Sequence, residues 1–290
     1  MKNNSSSLLS HLQLIGSMTV FGTVGIFVRY IPLPSAFIAF IRGAVGVLFL
    51  LAVCLITKKR LCGESIRRNL ALLLISGGAI GINWIFLFEA YRYTTVATAT
   101  LCYYTAPLFV LAVSPIFLGE RLTVRKCVGI ATALLGMVFV SGIHKTGFSG
   151  IAEARGIIFG LLAAAFYASV IIMNKKMGEI GAYDRTVIQL SAAAAVMLPY
   201  SLLAEDIDVA VFDAKVIILL AVVGIVHTGI SYAMYFSSLK ELKAQTVALF
   251  SYIDPIVAIL LSALVLHEGM DLLGIIGTVL VLSSVTVAGE

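Results

Sequence analysis

Long apolar stretches alternate with short polar or charged connections along the whole chain. A helix that crosses a membrane needs about 20 apolar residues, and each stretch approaches or reaches that length. The prolines at 32 and 34 end the first stretch, and the basic run 58–60 ends the second. The predicted spans are 12–31, 35–57, 70–91, 95–118, 124–141, 154–175, 184–203, 214–236, 244–266 and 271–288. The pattern therefore predicts an all-α integral membrane protein with ten transmembrane helices.

The composition agrees with this pattern and excludes an ordinary soluble enzyme. Of the 290 residues, 60% are apolar and 12% are charged, whereas soluble domains carry about 25% charged residues. The net charge of +5 comes from basic residues that lie between apolar runs, so it indicates orientation and not a nucleic-acid partner. None of the four cysteines suggests a disulfide or a metal site, and no cofactor is predicted.

The basic residues also predict the orientation of the chain. Fourteen of the 20 Lys and Arg residues fall in alternate connections on the side of the N-terminus. Because cytoplasmic loops hold the excess of basic residues, both termini are expected in the cytoplasm. The acidic loop near 205–208 is then expected outside, and the protein is expected in the cell (inner) membrane as a multi-pass protein.

The chain contains an internal duplication. A single shift of 148 residues aligns nine identical pairs without a gap. The pairs are Gly81 with Gly229, Phe88 with Phe236, Thr98 with Thr246, Tyr104 with Tyr252, Pro107 with Pro255, Ser114 with Ser262, Leu118 with Leu266, Glu120 with Glu268 and Gly129 with Gly277. We therefore divide the chain into a first five-helix repeat, 1–145, and a second, 150–290.

The odd number of spans in each repeat has a consequence for function. Two copies of a five-span unit must enter the membrane in opposite directions, so the repeats are inverted. Inverted repeats are a recurring plan of secondary transporters, with the substrate site near the membrane midplane between the halves. Alternating access is the mechanism that this plan favours.

The motifs of spans four and nine resemble those of a known family. Both spans contain Tyr-x-x-Pro, and Leu118-Gly119-Glu120-Arg121-Leu122-Thr123 closes span four. With the duplication, this resembles the EamA-type metabolite exporters of the drug/metabolite transporter superfamily. The resemblance implies a ten-helix bundle whose cavity is lined by helices 1, 3, 4, 6, 8 and 9, and export of amino acids or related small metabolites. The second half departs from the pattern at His267-Glu268-Gly269-Met270, where Gly does not precede Glu.

Three ionisable residues within spans are candidates for transport. Asp254 could bind an ammonium group or carry a coupling proton, and it could instead be a structural partner of a basic residue. Arg42 could receive a substrate carboxylate or could reach the membrane interface. His227 could couple to protons or could be hydrogen-bonded within the bundle.

An aromatic and polar set lies on the helices that the resemblance assigns to the cavity. Such a set suits amphipathic solutes, because rings contact apolar groups while hydroxyls bind polar ones. Its members are Asn83, Trp84, Tyr103, Tyr104, Tyr167, Ser231, Tyr232, Tyr235 and Tyr252. Pro107 and Pro255 lie near the middle of their spans, where each frees a backbone carbonyl that either binds substrate or marks a packing kink.

Other polar residues are assigned to structure. Glu89 and Arg92 have the spacing of a local ion pair. Glu120 and Glu268 lie at span ends, where a carboxylate can cap exposed backbone donors. The motifs Gly77-x-x-x-Gly81 and Gly156-x-x-x-Gly160 allow close contact between helices.

Two other functional classes are alternatives to a secondary transporter. An intramembrane enzyme would be expected to carry H-E-x-x-H or G-x-S-x-G, and the sequence contains neither. The membrane subunit of an ATP-driven permease is a second alternative, since the chain has no nucleotide-binding loop of its own. The expected partners are therefore a small-molecule substrate and the lipid bilayer. Coupling to a proton and simple facilitated flux are both compatible with the sequence, as is a homodimer.

Overall fold

A computed structural model describes residues 2–58, 61–94, 96–141, 151–204, 207, 211–265 and 272–287, and these residues form helices and short connections without a strand. The helices are α1 (Lys2–Arg29), α2 (Ser35–Ile56), α3 (Gly63–Tyr93), α4 (Val96–Tyr103), α5 (Ala106–Leu118), α6 (Val124–Ser141), α7 (Ile151–Lys176), α8 (Ala182–Ala204), α9 (Ala214–Gly224), α10 (Ser231–Ser238), α11 (Ala244–Phe250), α12 (Ile253–Val265) and α13 (Leu272–Val287). A π-helical segment, Ile225–Ile230, joins α9 to α10. The expected all-α architecture is confirmed.

Seven helical segments of the described chain are long and apolar enough to cross a membrane. They are Leu8–Arg29, Ser35–Ile56, Gly63–Tyr93, Thr98–Leu118, Glu153–Lys176, Ala182–Ala204 and Ala214–Ser238. Ala244–Ala258 and Leu272–Val281 are shorter apolar helices. The chain is thus a multi-pass membrane protein. Glu268 and most of the acidic loop near 205–208 lie outside the described residues.

Spans four and nine differ from the continuous helices that the hydrophobic pattern predicts. Span four breaks between α4 and α5, and span nine breaks between α11 and α12. In each case the proline of the Tyr-x-x-Pro motif lies in the first turn of the second helix, after the break. Proline has no N–H to donate to the residue four positions earlier, so it favours a kink or a break at this position. At both motifs the structure has a break, and the spans consist of half-helices.

Span eight is irregular for another reason. The π-helical segment adds one residue to a turn, and hydroxyl groups bind the carbonyls five positions earlier. Thr228 Oγ1 donates to the Val223 carbonyl at 3.0 Å, and Ser231 Oγ donates to the Val226 carbonyl at 2.9 Å. Short π segments often occur at functional sites, and this one precedes the tyrosines of α10.

Helix α3 lies at the centre of the bundle, packed against α7 and α8. The close approach to α8 requires glycine at two positions one turn apart. A Cβ at Gly77 would lie 2.6 Å from the Gln189 carbonyl oxygen, and one at Gly81 would lie 2.9 Å from the Ala193 carbonyl oxygen. The expected close contact at this glycine motif is confirmed. The pair α6 and α13 packs together at the side of the bundle.

The end of α3 is joined to α8 by an ion pair that the sequence predicts. Arg92 Nη1 lies 3.1 Å from Glu89 Oε1, and Arg92 Nη2 donates to the Ala204 carbonyl at 3.1 Å. The Tyr200 hydroxyl also donates to Glu89. The expected structural role of Glu89 and Arg92 is thus confirmed, and it includes a link between two helices.

Candidate functional site

A cavity of about 570 Å³ lies between helices of both halves of the chain. Its walls come from α1, α2, α3, the break between α4 and α5, α7, α10 and α12. These helices include all six spans that the family resemblance assigns to the cavity. Span two, which the resemblance does not include, contributes Ser35, Ile38, Ala39 and Arg42.

Nine of the fourteen candidate site residues line this cavity. They are Arg42, Trp84, Tyr103, Tyr104, Pro107, Tyr167, Tyr232, Tyr235 and Asp254. Their side chains come from six different segments of the chain, separated by up to about two hundred residues. The fold therefore brings most of the predicted set into one place.

Arg42 is held against the cavity wall by an aromatic ring. Its Cζ lies 4.4 Å from the centroid of the Trp84 ring, which is the geometry of a cation–π contact. Trp84 is 5% exposed and so forms a fixed surface. The Arg42 Nε atom is buried and has no hydrogen-bond partner among the described residues. Arg42 thus faces the cavity, and the alternative that it reaches the membrane interface does not describe its position.

Asp254 lies on the opposite half of the chain and faces the same cavity. It occupies the first turn of α12, directly after the break in span nine. The positive end of a helix dipole stabilises a carboxylate at such a position. Within the described part of the chain, Asp254 and Arg42 form no ion pair with each other. The cavity therefore offers one cation and one carboxylate that do not neutralise each other by contact.

Tyrosine rings cover much of the remaining wall. The Tyr103 ring lies 5.7 Å from the Tyr104 ring and 5.7 Å from the Tyr167 ring, measured between centroids. The hydroxyl oxygens of Tyr167 and Tyr235 are 3.2 Å apart and share a hydrogen bond. Tyr232 contacts Phe21 with a centroid distance of 5.1 Å. The wall thus combines apolar ring faces with hydroxyl groups.

Two predicted residues brace the helices behind the cavity. Asn83 is 2% exposed, and its Nδ2 donates to the Ala163 carbonyl at 2.6 Å, which ties α3 to α7. Tyr252 is 0% exposed, and its hydroxyl donates to the Tyr104 carbonyl at 3.0 Å. Pro255 is buried next to Asp254 and does not line the cavity.

His227 and Ser231 also lie outside the cavity. His227 Nε2 lies 2.8 Å from Thr23 Oγ1, and its Nδ1 lies 3.4 Å from the Val222 carbonyl oxygen. Its ring packs against Phe27 with centroids 4.8 Å apart. His227 is therefore hydrogen-bonded between α1 and span eight, as one of the two sequence interpretations expected. Ser231 is buried on its own helix turn.

Several cavity residues were not among the sequence candidates. Tyr91 and Thr100 add polar groups to the lining, and Phe21, Gly22 and Ser251 form further parts of the wall. Thr100 precedes Tyr103 and Tyr104 by three and four positions, so helical periodicity could have identified it. Tyr91 lies close to the predicted end of its span, where tyrosine is expected at the interface.

The cavity lining reaches one end of the helices, and hydrogen bonds join the helices at the other end. Its lining includes Val28, Ser35 and Tyr91, which lie where α1 joins α2 and where α3 ends. At the opposite end, Glu120 accepts hydrogen bonds from the backbone N–H groups of Ala244 at 2.7 Å and Gln245 at 3.2 Å. The expected capping role of Glu120 is confirmed, although the helix that it caps is α11 and not the neighbouring α6.

Further bonds hold this opposite end, which we call the sealed end and define by Ser114, Glu120, Lys175 and Gln245. Gln245 Nε2 donates to Ser114 Oγ at 2.8 Å. Lys175 Nζ donates to the carbonyls of Leu239 at 2.9 Å and Leu242 at 2.7 Å, beyond the end of α10. The bonds of Glu120 and Ser114 join the first half of the chain to the second, and the bonds of Lys175 hold the second half together at the same end.

Comparison with known proteins agrees with this architecture. The sequence profile of the EamA-like transporter family matches the chain twice, at residues 8–142 and 154–289. A solved crystal structure of a protein that is 18% identical superposes with a TM-score of 0.84 over 99% of this chain and 96% of that one. This second likeness shows that the fold is shared.

Relatives are found in bacteria and archaea. The uncharacterized transporter YxxF of Bacillus subtilis is 29% identical over 270 residues, which are 93% of this chain and 86% of YxxF. An uncharacterized transporter of Archaeoglobus fulgidus is 27% identical over 277 residues, covering 95% and 94% of the two chains. The protein PecM of Dickeya dadantii is 24% identical over 216 residues, covering 73% and 70%. With its two profile matches, this chain belongs to the EamA-like transporter family of the drug/metabolite transporter superfamily.

Proposed function

We propose that this protein is a secondary transporter that exports amino acids or related small metabolites by alternating access. The observation that carries the proposal is that Arg42 and Asp254 face one cavity without pairing with each other. A guanidinium group binds a carboxylate through two parallel hydrogen bonds, and a carboxylate binds an ammonium group. A solute that carries both groups would satisfy both residues. Export as the direction is supported by the family resemblance.

The proposed architecture has ten spans in two inverted repeats, 1–145 and 150–290. The two separate profile matches and the matching breaks in spans four and nine support it. We place both termini in the cytoplasm and the protein in the cell (inner) membrane, as the distribution of basic residues favours. We infer that the cavity opens at the end lined by Val28, Ser35 and Tyr91, so that in this orientation its mouth faces outward and the sealed end faces the cytoplasm.

The size and wall of the cavity fit a small amphipathic solute. Small-molecule sites commonly have volumes of about 300–1,000 Å³, and the 570 Å³ cavity falls within that range. The tyrosine rings would contact the apolar part of the solute, while their hydroxyls would bind its polar edge. We assign substrate contact to the nine candidate residues that line the cavity. Asn83, His227, Ser231 and Pro255 would support them from behind.

The experiment that tests this function is flux of a radiolabelled amino-acid panel in proteoliposomes. We expect protein-dependent flux of at least one amino acid relative to empty liposomes. An imposed pH gradient that accelerates the flux would support proton coupling, and unchanged flux would support a facilitator. Absence of flux for every amino acid would contradict the proposed substrate class, and the panel would then be extended to sugars, nucleosides and cationic drugs.

The same assay tests Asp254 as the proton carrier. The variant Asp254→Asn keeps the size of the side chain and removes its titratable group. We expect it to abolish the acceleration by the pH gradient. His227→Gln is the matched comparison, because His227 lies behind the wall and is expected to retain the acceleration. If gradient-driven flux survives in Asp254→Asn, Asp254 does not carry the proton.

A further inference from the structure

Tyr104 and Tyr252 occupy equivalent positions in the two halves but have different surroundings. A shift of 148 residues aligns them, and each lies at the break of its span. Tyr104 lines the cavity, whereas Tyr252 is 0% exposed and does not. The repeated tyrosine therefore lines the cavity in the first half and is a buried hydrogen-bond donor in the second half.

One hydrogen bond connects the two breaks, and it is asymmetric. The Tyr252 hydroxyl donates to the backbone carbonyl of Tyr104 at 3.0 Å. The reverse bond, from the Tyr104 hydroxyl to the Tyr252 carbonyl, is absent among the described residues. Residues related by an internal duplication would be expected to form both bonds or neither if the two halves had the same conformation. The asymmetry therefore marks a conformational difference between the halves.

The backbone hydrogen bonds at the two breaks also differ between the halves. In the first half, the Leu108 N–H donates to the Thr105 carbonyl at 2.8 Å, which leaves the Tyr104 carbonyl free to accept from Tyr252. In the second half, the equivalent Ile256 N–H donates to the Tyr252 carbonyl at 3.4 Å. This last bond is long, so the Tyr252 carbonyl can be released at little cost in free energy.

We propose that Tyr104 and Tyr252 exchange roles when the cavity changes sides. In the opposite-facing state the Tyr104 hydroxyl donates to the Tyr252 carbonyl, and the Tyr252 ring becomes part of the cavity wall. The proposal rests on the inverted repeats of the proposed function. A two-fold axis in the membrane plane turns one facing of the cavity into the other, so each half takes the conformation of its partner.

The exchange conserves the number of hydrogen bonds. The Leu108 N–H moves from the Thr105 carbonyl to the Tyr104 carbonyl, and the Ile256 N–H moves from the Tyr252 carbonyl to the Ile253 carbonyl. The bond between the tyrosines reverses its direction. Since no backbone donor is left without a partner, the two states lie close in free energy, as alternating access requires.

The test is the accessibility of a cysteine in the cavity wall. Gly25 lines the cavity, and a Cβ placed there has no heavy atom within 4 Å, so Gly25→Cys is tolerated. The four native cysteines at 54, 62, 102 and 127 are first replaced. A membrane-impermeant methanethiosulfonate is then applied from the open side to protein in proteoliposomes without solute, and the rate of labelling is measured.

The two single variants are expected to have different effects on the labelling rate. Tyr252→Phe removes the bond of the open state and should lower the rate by about threefold to tenfold, the range of one hydrogen bond. Tyr104→Phe should not lower it, and the double variant should return to within about twofold of the parent. Tyr93→Phe, outside the cavity, is the matched control and should leave the rate unchanged.

A fall of the same size in Tyr104→Phe, or a double variant slower than Tyr252→Phe, would overturn the proposed exchange. A second measurement gives the same answer by another route: Tyr252→Cys should be labelled from the opposite side of the membrane only. Because labelling is measured without solute, it separates two failures. The expected labelling pattern without flux would overturn the proposed substrates alone, and flux without that labelling pattern would overturn the exchange alone.

Discussion

The two broken spans, α4–α5 and α11–α12, have the same architecture and different chemistry. Both break at the tyrosine of the Tyr-x-x-Pro motif, and both place a new helix start beside the cavity. The first new helix begins with Ala106, and the second has Asp254 at the equivalent position. The backbone plan is thus repeated, whereas the charge is present once.

Arg42 shows the same pattern. At the shift of 148 residues its counterpart is Leu190 on α8, which is 0% exposed and belongs to the hydrophobic core. Both cavity charges therefore lack an equivalent in the other half, while the tyrosines and prolines at the breaks are matched. The comparison indicates that repeated features support the movement and that unrepeated features bind the solute.

The largest expected effect comes from removing an unrepeated feature. Arg42→Gln should lower protein-dependent flux by about tenfold to a hundredfold, because a hydrogen bond to a charged group contributes about 1.5–3 kcal/mol. The cation–π contact with Trp84 is lost as well. Arg68→Gln, on the exposed side of α3, is the control, because it removes the same charge outside the cavity and should leave flux unchanged. Unchanged flux in Arg42→Gln would remove Arg42 from the binding site.

An intermediate effect is expected where α1 supports the second break. A Cβ at Gly22 would lie 2.5 Å from the Asp254 carbonyl oxygen and 2.6 Å from Val257 Cβ. Gly22→Ala should therefore destabilise the protein by about 1–3 kcal/mol through overpacking. Gly25→Ala, three residues later, meets open space and should be neutral or slightly stabilising. Thermal unfolding in detergent measures both, and equal midpoints would contradict the close packing at Gly22.

The smallest effect is expected at the sealed end. Glu120→Gln retains one acceptor for the two backbone donors of α11 and should cost about 1 kcal/mol of stability in the state described here. Since these two bonds hold the sealed end, the variant should also raise labelling of a cavity cysteine from that side. Glu179→Gln, which is exposed, is the control. Slower labelling in Glu120→Gln would contradict a closing role.

The sequence predicts the cavity better than it predicts the contacts behind it. Trp84, Tyr103, Tyr104 and Tyr167 were identified because a polar aromatic side chain within an apolar span is unusual and needs a partner or a cavity. Repetition of Tyr-x-x-Pro marked the breaks, although it predicted kinks where the structure has separate helices. The sequence predicts such irregularities because proline disturbs the backbone hydrogen bonds of the helix in which it lies.

Long-range contacts could not be predicted in this way. The capping of α11 by Glu120 joins residues 124 positions apart, and the local pattern that marks Glu120 as a cap does not identify α11 as its partner. The role of Tyr252 depends on a carbonyl in the other half of the chain. Its position in the motif could therefore not show whether Tyr252 lines the cavity or is buried behind it. Arg42 reached the cavity because α2 turns that face inward, which its distance from the span end did not reveal.

The capping of α11 by Glu120 also affects how the chain is made. Gly119 adopts a positive φ of 67° at the end of α5, and the carboxylate of the next residue is held ready for donors that are synthesised 124 residues later. At about 5–20 residues per second, a ribosome needs roughly 6–25 s to add them. Until then the first five helices reside in the membrane with an anionic group that lacks its final partner. Membrane insertion factors would therefore meet an incomplete bundle during that interval, and the sealed end would be among the last parts of the protein to assemble.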